Sequence, residues 1–169
     1  MKNSKLLVFL AALAIAGWNH ALALNEPTPA VPPAPRPLNE PLNEKLTTEA
    51  WEAYQAGRYA TAITNADQCL FSFGEAAHRI QAILESEKTT LPKGKLSEAD
   101  KLRVGRYQIL HDVATCFLVK GWAEEKLGHA EEARKAYAEA KNYTQARSSR
   151  PTGDSFWSPA EKASELLLK

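Results

Sequence analysis

The sequence predicts an all-α protein of antiparallel helix hairpins, with an elongated central hairpin and a C-terminal helix covering one end. Three observations carry this. From Val113 to Ala140, apolar or small residues recur at helical spacing on two segments separated by Gly128. The small and apolar positions 62, 66, 69, 73, 76, 77, 80, 83 and 84 hold a single helical phase. Helix-start signals stand at Ser97-Glu98-Ala99-Asp100 and at Ser158-Pro159-Ala160-Glu161.

Residues 1–23 read as a secretory signal. Lys2 and Lys5 give a positive start, Leu6 to Gly17 is an apolar run, and Ala21-Leu22-Ala23 offers small residues before a cut preceding Leu24. The run is short of the about 20 residues that span a bilayer. An uncleaved inner-membrane anchor is the rival expectation, and no integral span is expected after cleavage. Residues 24–46 read as a proline-rich linker. Seven of the ten prolines fall between Leu24 and Glu44, each fixing φ and removing a backbone donor. Spacer is the favoured role there over a docking motif at Pro33 to Pro37.

The helical domain is expected over 47–169. Thr47 and Thr48 are placed to cap a first helix, Glu49 to Ala56, which ends at Gly57. A second, long helix runs from about Tyr59 to Glu87. It crosses Gly74, whose cost of roughly 1 kcal/mol against alanine need not break a packed helix. Thr89 to Lys95 turns the chain. A third helix starts at Ser97 and is expected to reach Leu127, with Leu102, Ile109, Val113, Cys116 and Ala123 on its inner stripe. The resulting hairpin has arms of about 45 Å at 1.5 Å per residue. Beyond Gly128 comes a helix carrying Ala133, Ala136, Tyr137 and Ala140, then a loop at Pro151-Thr152-Gly153-Asp154. The last helix runs from Pro159 to Leu168, with Phe156 and Trp157 beneath it.

Gly121 and Ala133 are small where two helices would cross closely, and Tyr137 fills the space beside them. With Gly128 and Ala140 they form a pattern that resembles the tetratricopeptide repeat, a helix–turn–helix unit of about 34 residues. A weaker second match is carried by Gly57, Tyr59 and Ala62, with Cys69 where the family usually has alanine. The resemblance covers about residues 47–72 and 113–145. It implies two repeats and a surface for binding protein or peptide rather than an active site.

A turn centred between residues 92 and 93 sets Cys69 level with Cys116 on the facing helix. Two cysteines in an exported chain are candidates for a disulfide; the alternative is two buried thiols behaving as small hydrophobes. Outside the leader only His78, His111 and His129 remain, without HExxH or paired Cys/His spacing, so no metal site is expected. There is no GxSxG, phosphate loop or Rossmann fingerprint, and no catalytic residue or cofactor is assigned. A net charge of +1, near −1 without Lys2 and Lys5, gives no basic bias toward nucleic acid.

These readings converge on an exported, periplasmic and non-enzymatic interaction module, an adaptor or assembly factor of a bacterial-type envelope. The charged and aromatic positions Lys120, Trp122, Glu124, Arg134 and Lys141 are the expected partner-binding surface. The alternatives are a self-associating structural protein, as a homodimer, or a cell-wall or glycan-associated factor.

Overall fold

A computed structural model describes residues 40–149 and 155–169. The expected signal, most of the linker and the loop at 151–154 lie outside the described residues. Six helices follow in order: α1 (Leu42–Gln55), α2 (Tyr59–Ser86), α3 (Glu98–Gly105), α4 (Gln108–Lys126), α5 (Ala130–Lys141) and α6 (Pro159–Leu167). A two-stranded antiparallel ribbon, β1 (Ser148–Ser149) and β2 (Phe156–Trp157), precedes α6. The fold is all-α and built of helical hairpins. Helix α4 is its centre, packing against α2, α5 and α1, and α6 covers α5.

Helix α1 begins seven residues before the expected Glu49. Leu46, Ala50 and Ala53 form its buried stripe, and Pro41 needs no helical N–H at the position before it. Thr47 therefore lies inside the helix. Its hydroxyl donates to the Asn43 carbonyl one turn back instead of capping an N-terminus. Gly57, at φ 72°, turns the chain into α2 in the left-handed region where a side chain would be strained. Helix α2 is continuous through Gly74, as expected, for 28 residues.

The partner arm differs from expectation. Ser97 caps α3 by accepting the Asp100 N–H at 3.2 Å, but the helix stops at Gly105 and α4 restarts at Gln108. The Val104 carbonyl at the break accepts from the Tyr107 N–H at 3.0 Å and pairs with His111 Nε2 at 2.8 Å. A side chain thus takes up a backbone acceptor at the interruption. The break rotates the inner stripe: Val104 is buried, while Leu102, expected inside, is 72% exposed.

Gly128, at φ 82°, turns α4 into α5. Ala133, Ala136, Tyr137 and Ala140 are all buried, as the spacing required. At Gly121 an added Cβ would fall 2.2 Å from Tyr137 Cε1, so only glycine admits the ring there. Ser158 caps α6 by accepting the Glu161 N–H at 3.3 Å. Tyr143 is buried and stacks on Phe117 with centroids 5.8 Å apart.

Candidate functional site

Among the described residues a cleft lies between α1, the start of α4 and the β1–β2 ribbon. It has a volume of about 530 Å³ and is open to solvent. Helix α1 contributes Thr47, Thr48 and Trp51, and α4 contributes Gln108, His111, Asp112 and Thr115. Spacings of three and four residues put each set on one helix face. The ribbon adds Ser148, Ser149, Phe156 and Trp157.

Hydrogen bonds hold the ribbon over the helices. The Gly94 N–H donates to the Phe156 carbonyl at 2.7 Å, and the Gly94 carbonyl accepts the Phe156 N–H in return at 2.9 Å. Buried Arg147 donates from Nε to the Leu91 and Pro92 carbonyls at 3.0 and 3.1 Å, and from Nη1 to the Thr144 and Ala146 carbonyls. Burial lowers its pKa. Gln81 of α2 ties in the same segment, donating to Thr144 Oγ1 at 2.7 Å and accepting the Gln145 N–H at 3.1 Å.

His111 is fully engaged. Its Nδ1 accepts the Arg147 N–H at 3.1 Å, which leaves Nε2 as the protonated nitrogen that donates to Val104. Burial, with Arg147 nearby, lowers its pKa to about 4, so the ring is neutral. Neighbouring Asp112 is 5% exposed. Its Oδ2 accepts from Asn43 Nδ2 at 2.6 Å and its Oδ1 from Gln108 Nε2 at 2.9 Å. Both donors are neutral amides. Burial pushes its pKa up to about 6 against the pull of those two bonds, helped by the charges of Glu44 and Glu40.

Beneath the cleft floor, Cys69 of α2 and Cys116 of α4 are both buried and stand as free cysteines. Thr47 Oγ1 lies 3.8 Å from the first sulfur and 3.3 Å from the second. Its own proton is committed to Asn43, so toward a sulfur its oxygen is the acceptor. Hydrogen bonding to Cys116 lowers the Cys69 pKa, and the same contact raises that of Cys116. The side-by-side placement expected from the hairpin register is found; a bond between the sulfurs is not.

The five expected surface residues are differently placed. Lys120 pairs with Asp67 at 2.6 Å and borders a depression of about 140 Å³ with Phe117 and Glu132. Trp122 is half-buried against Trp51 and Tyr54, with centroids 5.6 and 6.0 Å away. Glu124 is buried, its Oε2 2.7 Å from His129 Nδ1 across the turn. Arg134 and Lys141 are exposed on α5.

The cleft residues Gln108, Asp112 and Arg147, and Asn43 that bonds Asp112, were not singled out from the sequence. A signal existed: His111-Asp112 interrupts the apolar run from Ile109 to Val119. A carboxylate in such a run is buried with partners or marks a site. No group of three His, Cys, Asp or Glu side chains among the described residues is placed to hold a metal ion. No described helix is long and apolar enough to cross a membrane. No protein-family model, no curated protein and no solved structure matches the chain.

Proposed function

We propose that this chain is an exported, tetratricopeptide-like interaction module, an adaptor or assembly factor rather than a catalyst, whose partner enters the cleft between α1, α4 and the ribbon. The observation that carries the reading is the cleft: about 530 Å³, walled by Trp51 of α1 and by Phe156 and Trp157 of the ribbon. The repeat reading draws support from glycine turns at positive φ in both hairpins, Gly57 and Gly128, and from the seat of Tyr137 on Gly121. The export reading rests on Lys2, Lys5 and the apolar run that follows, and places the protein in a periplasm-like compartment. In that oxidising setting Cys69 and Cys116 form a disulfide joining α2 to α4. Exposed Arg134 and Lys141 on α5 supply further contacts away from the cleft.

A crosslinking pull-down from the envelope fraction, with the full chain as bait, tests this. One protein should return repeatedly, be lost with Thr48→Arg in the cleft, and be weakened but not lost with Lys141→Glu. Recovery that Thr48→Arg leaves unchanged would reject the cleft as the receptor. If the bait alone returns, self-association becomes the better account. Exposed Phe71 on α2, at 93%, and Leu102 on α3 favour that second reading, which light scattering decides.

A further inference from the structure

We propose that the cleft receives a basic side chain, a lysine or arginine of the partner polypeptide, with Asp112 as its counter-charge and Trp51, Phe156 and Trp157 as its walls. The source of the cation rests on the interaction-module reading; the cation preference rests on the cleft alone.

Asp112 is a buried carboxyl whose two partners among the described residues are neutral amides, one on each oxygen. A carboxylate oxygen accepts more than one hydrogen bond, so both oxygens keep capacity for a further donor. Removing this charge from water is costly, and an ammonium or guanidinium brought beside it offsets that cost. Three aromatic rings line the same cleft, and aromatic surfaces attract cations as well as the methylene stem that bears them.

The groups around Asp112 decide the sign of the local potential. From the start of α1 and the residues before it, Glu44 and Glu40 both raise its pKa, so their charges act as negative neighbours. On its own helix, Gln108 is neutral, His111 is held neutral by burial, and Cys116 is a thiol with a raised pKa. From α2, Cys69 has its pKa lowered by hydrogen bonding to Cys116 and adds no positive charge in either protonation state. Arg147, from the ribbon side, is the opposing charge. Its guanidinium is engaged by the carbonyls of Leu91, Pro92, Thr144 and Ala146, whose oxygens carry partial negative charge. The side of the cleft at Asp112 is therefore anionic when that carboxyl is ionised.

Binding should follow its ionisation. Asp112 titrates near pH 6, so cation affinity is full above that value and falls as the carboxyl is protonated below it.

The test follows tryptophan fluorescence of the full chain as acetyl-Ala-Ala-Lys-Ala-amide is added. Its arginine and norleucine counterparts and butylammonium are titrated alongside. The expected result is saturable binding of the lysine or arginine peptide at pH 7.5, with the norleucine peptide about tenfold weaker or more. Affinity in the unmutated protein should drop about tenfold on going to pH 5. Asp112→Asn, with an unchanged circular dichroism spectrum, should bind the lysine and norleucine peptides alike; the unmutated pH profile stands if that variant does not fold. Equal affinity for lysine and norleucine, an affinity independent of pH, or no saturable binding of either basic peptide overturns the proposal. Binding of butylammonium without any peptide refutes a polypeptide source, and with it the module reading. Failure of every cation while the envelope pull-down succeeds refutes this inference and leaves the module. Peptide binding that emerges only in Arg150→Ala assigns the site to the chain's own arginine and overturns the polypeptide source.

Discussion

The two halves of α4 are packed by different means. Its C-terminal half meets α5 through shape: Tyr137 lies on Gly121 so closely that a single methyl group would overlap the ring. Its N-terminal half meets α1 and α2 through small polar groups, Asn43 on Asp112 and Thr47 between two thiols, and meets the end of α3 through the His111 ring on the Val104 carbonyl. The first kind of interface is fixed by the fit of one ring on one glycine. The second keeps protonation states and a thiol pair inside the fold, and the open cleft lies on that side. Rigidity and chemistry are thus divided along one helix.

Removing the ring should have the largest effect. Tyr137→Ala, at a buried side chain that also donates to Glu125 Oε2 at 2.8 Å, should cost about 3–5 kcal/mol in urea unfolding. Gly121→Ala alone should cost about 1–3 kcal/mol by overpacking. In the Tyr137→Ala background the same glycine substitution should cost close to nothing, since the two share one contact. Additive losses would show that the crossing is not closed by shape.

The thiol pair sharpens the other side. If Cys69 and Cys116 are joined after export, closing a loop of their separation stabilises by about 4 kcal/mol in the chain-entropy model, less any strain. Denatured, unreduced protein should then take up no iodoacetamide, and reduction should lower the urea midpoint. Alkylation of both cysteines without reductant would leave them as buried thiols.

The smallest effect is in the pH response of the unmutated protein. Asp112 is raised from 3.8 to about 6, so the cost of burying its charge is present above pH 6 and relieved as pH falls toward 4. His111 is lowered from 6.5 to about 4, so its burial costs stability as pH falls through that same range. Each shift corresponds to about 3 kcal/mol, with opposite sign. The pair should therefore cancel in the unmutated protein. Asp112→Asn should expose the histidine term, making the difference between variant and parent change by about 3 kcal/mol between pH 6.5 and pH 4. A constant difference across that range would refute the opposed pair.

Much of the scaffold was legible in the residues. Ala62, Ala66 and Cys69 marked the buried face of α2, and Ala133, Ala136, Tyr137 and Ala140 that of α5, because helical periodicity is a local property. The break at Gly105 to Tyr107 was not legible. It is associated with contacts of the Val104 carbonyl and with a histidine that also meets Arg147, 36 residues further on. The cleft escaped for the same reason. Its walls come from positions 47–51, 108–115, 147–149 and 156–157, and no local pattern records that they meet.

Composition, caps and spacing determined the all-α class, the long α2 through Gly74, the α5 face and the start of α6 by themselves. Those features follow from backbone propensity and the burial of one helix face, which neighbouring residues set. Only the tertiary structure decided that α1 begins at Leu42, that Leu102 faces water, that Glu124 is buried, and that Asp112 sits among amides beside three aromatic rings. Each depends on which distant segment supplies the partner, and a hydrogen bond between residues 69 positions apart leaves no periodic trace in the chain.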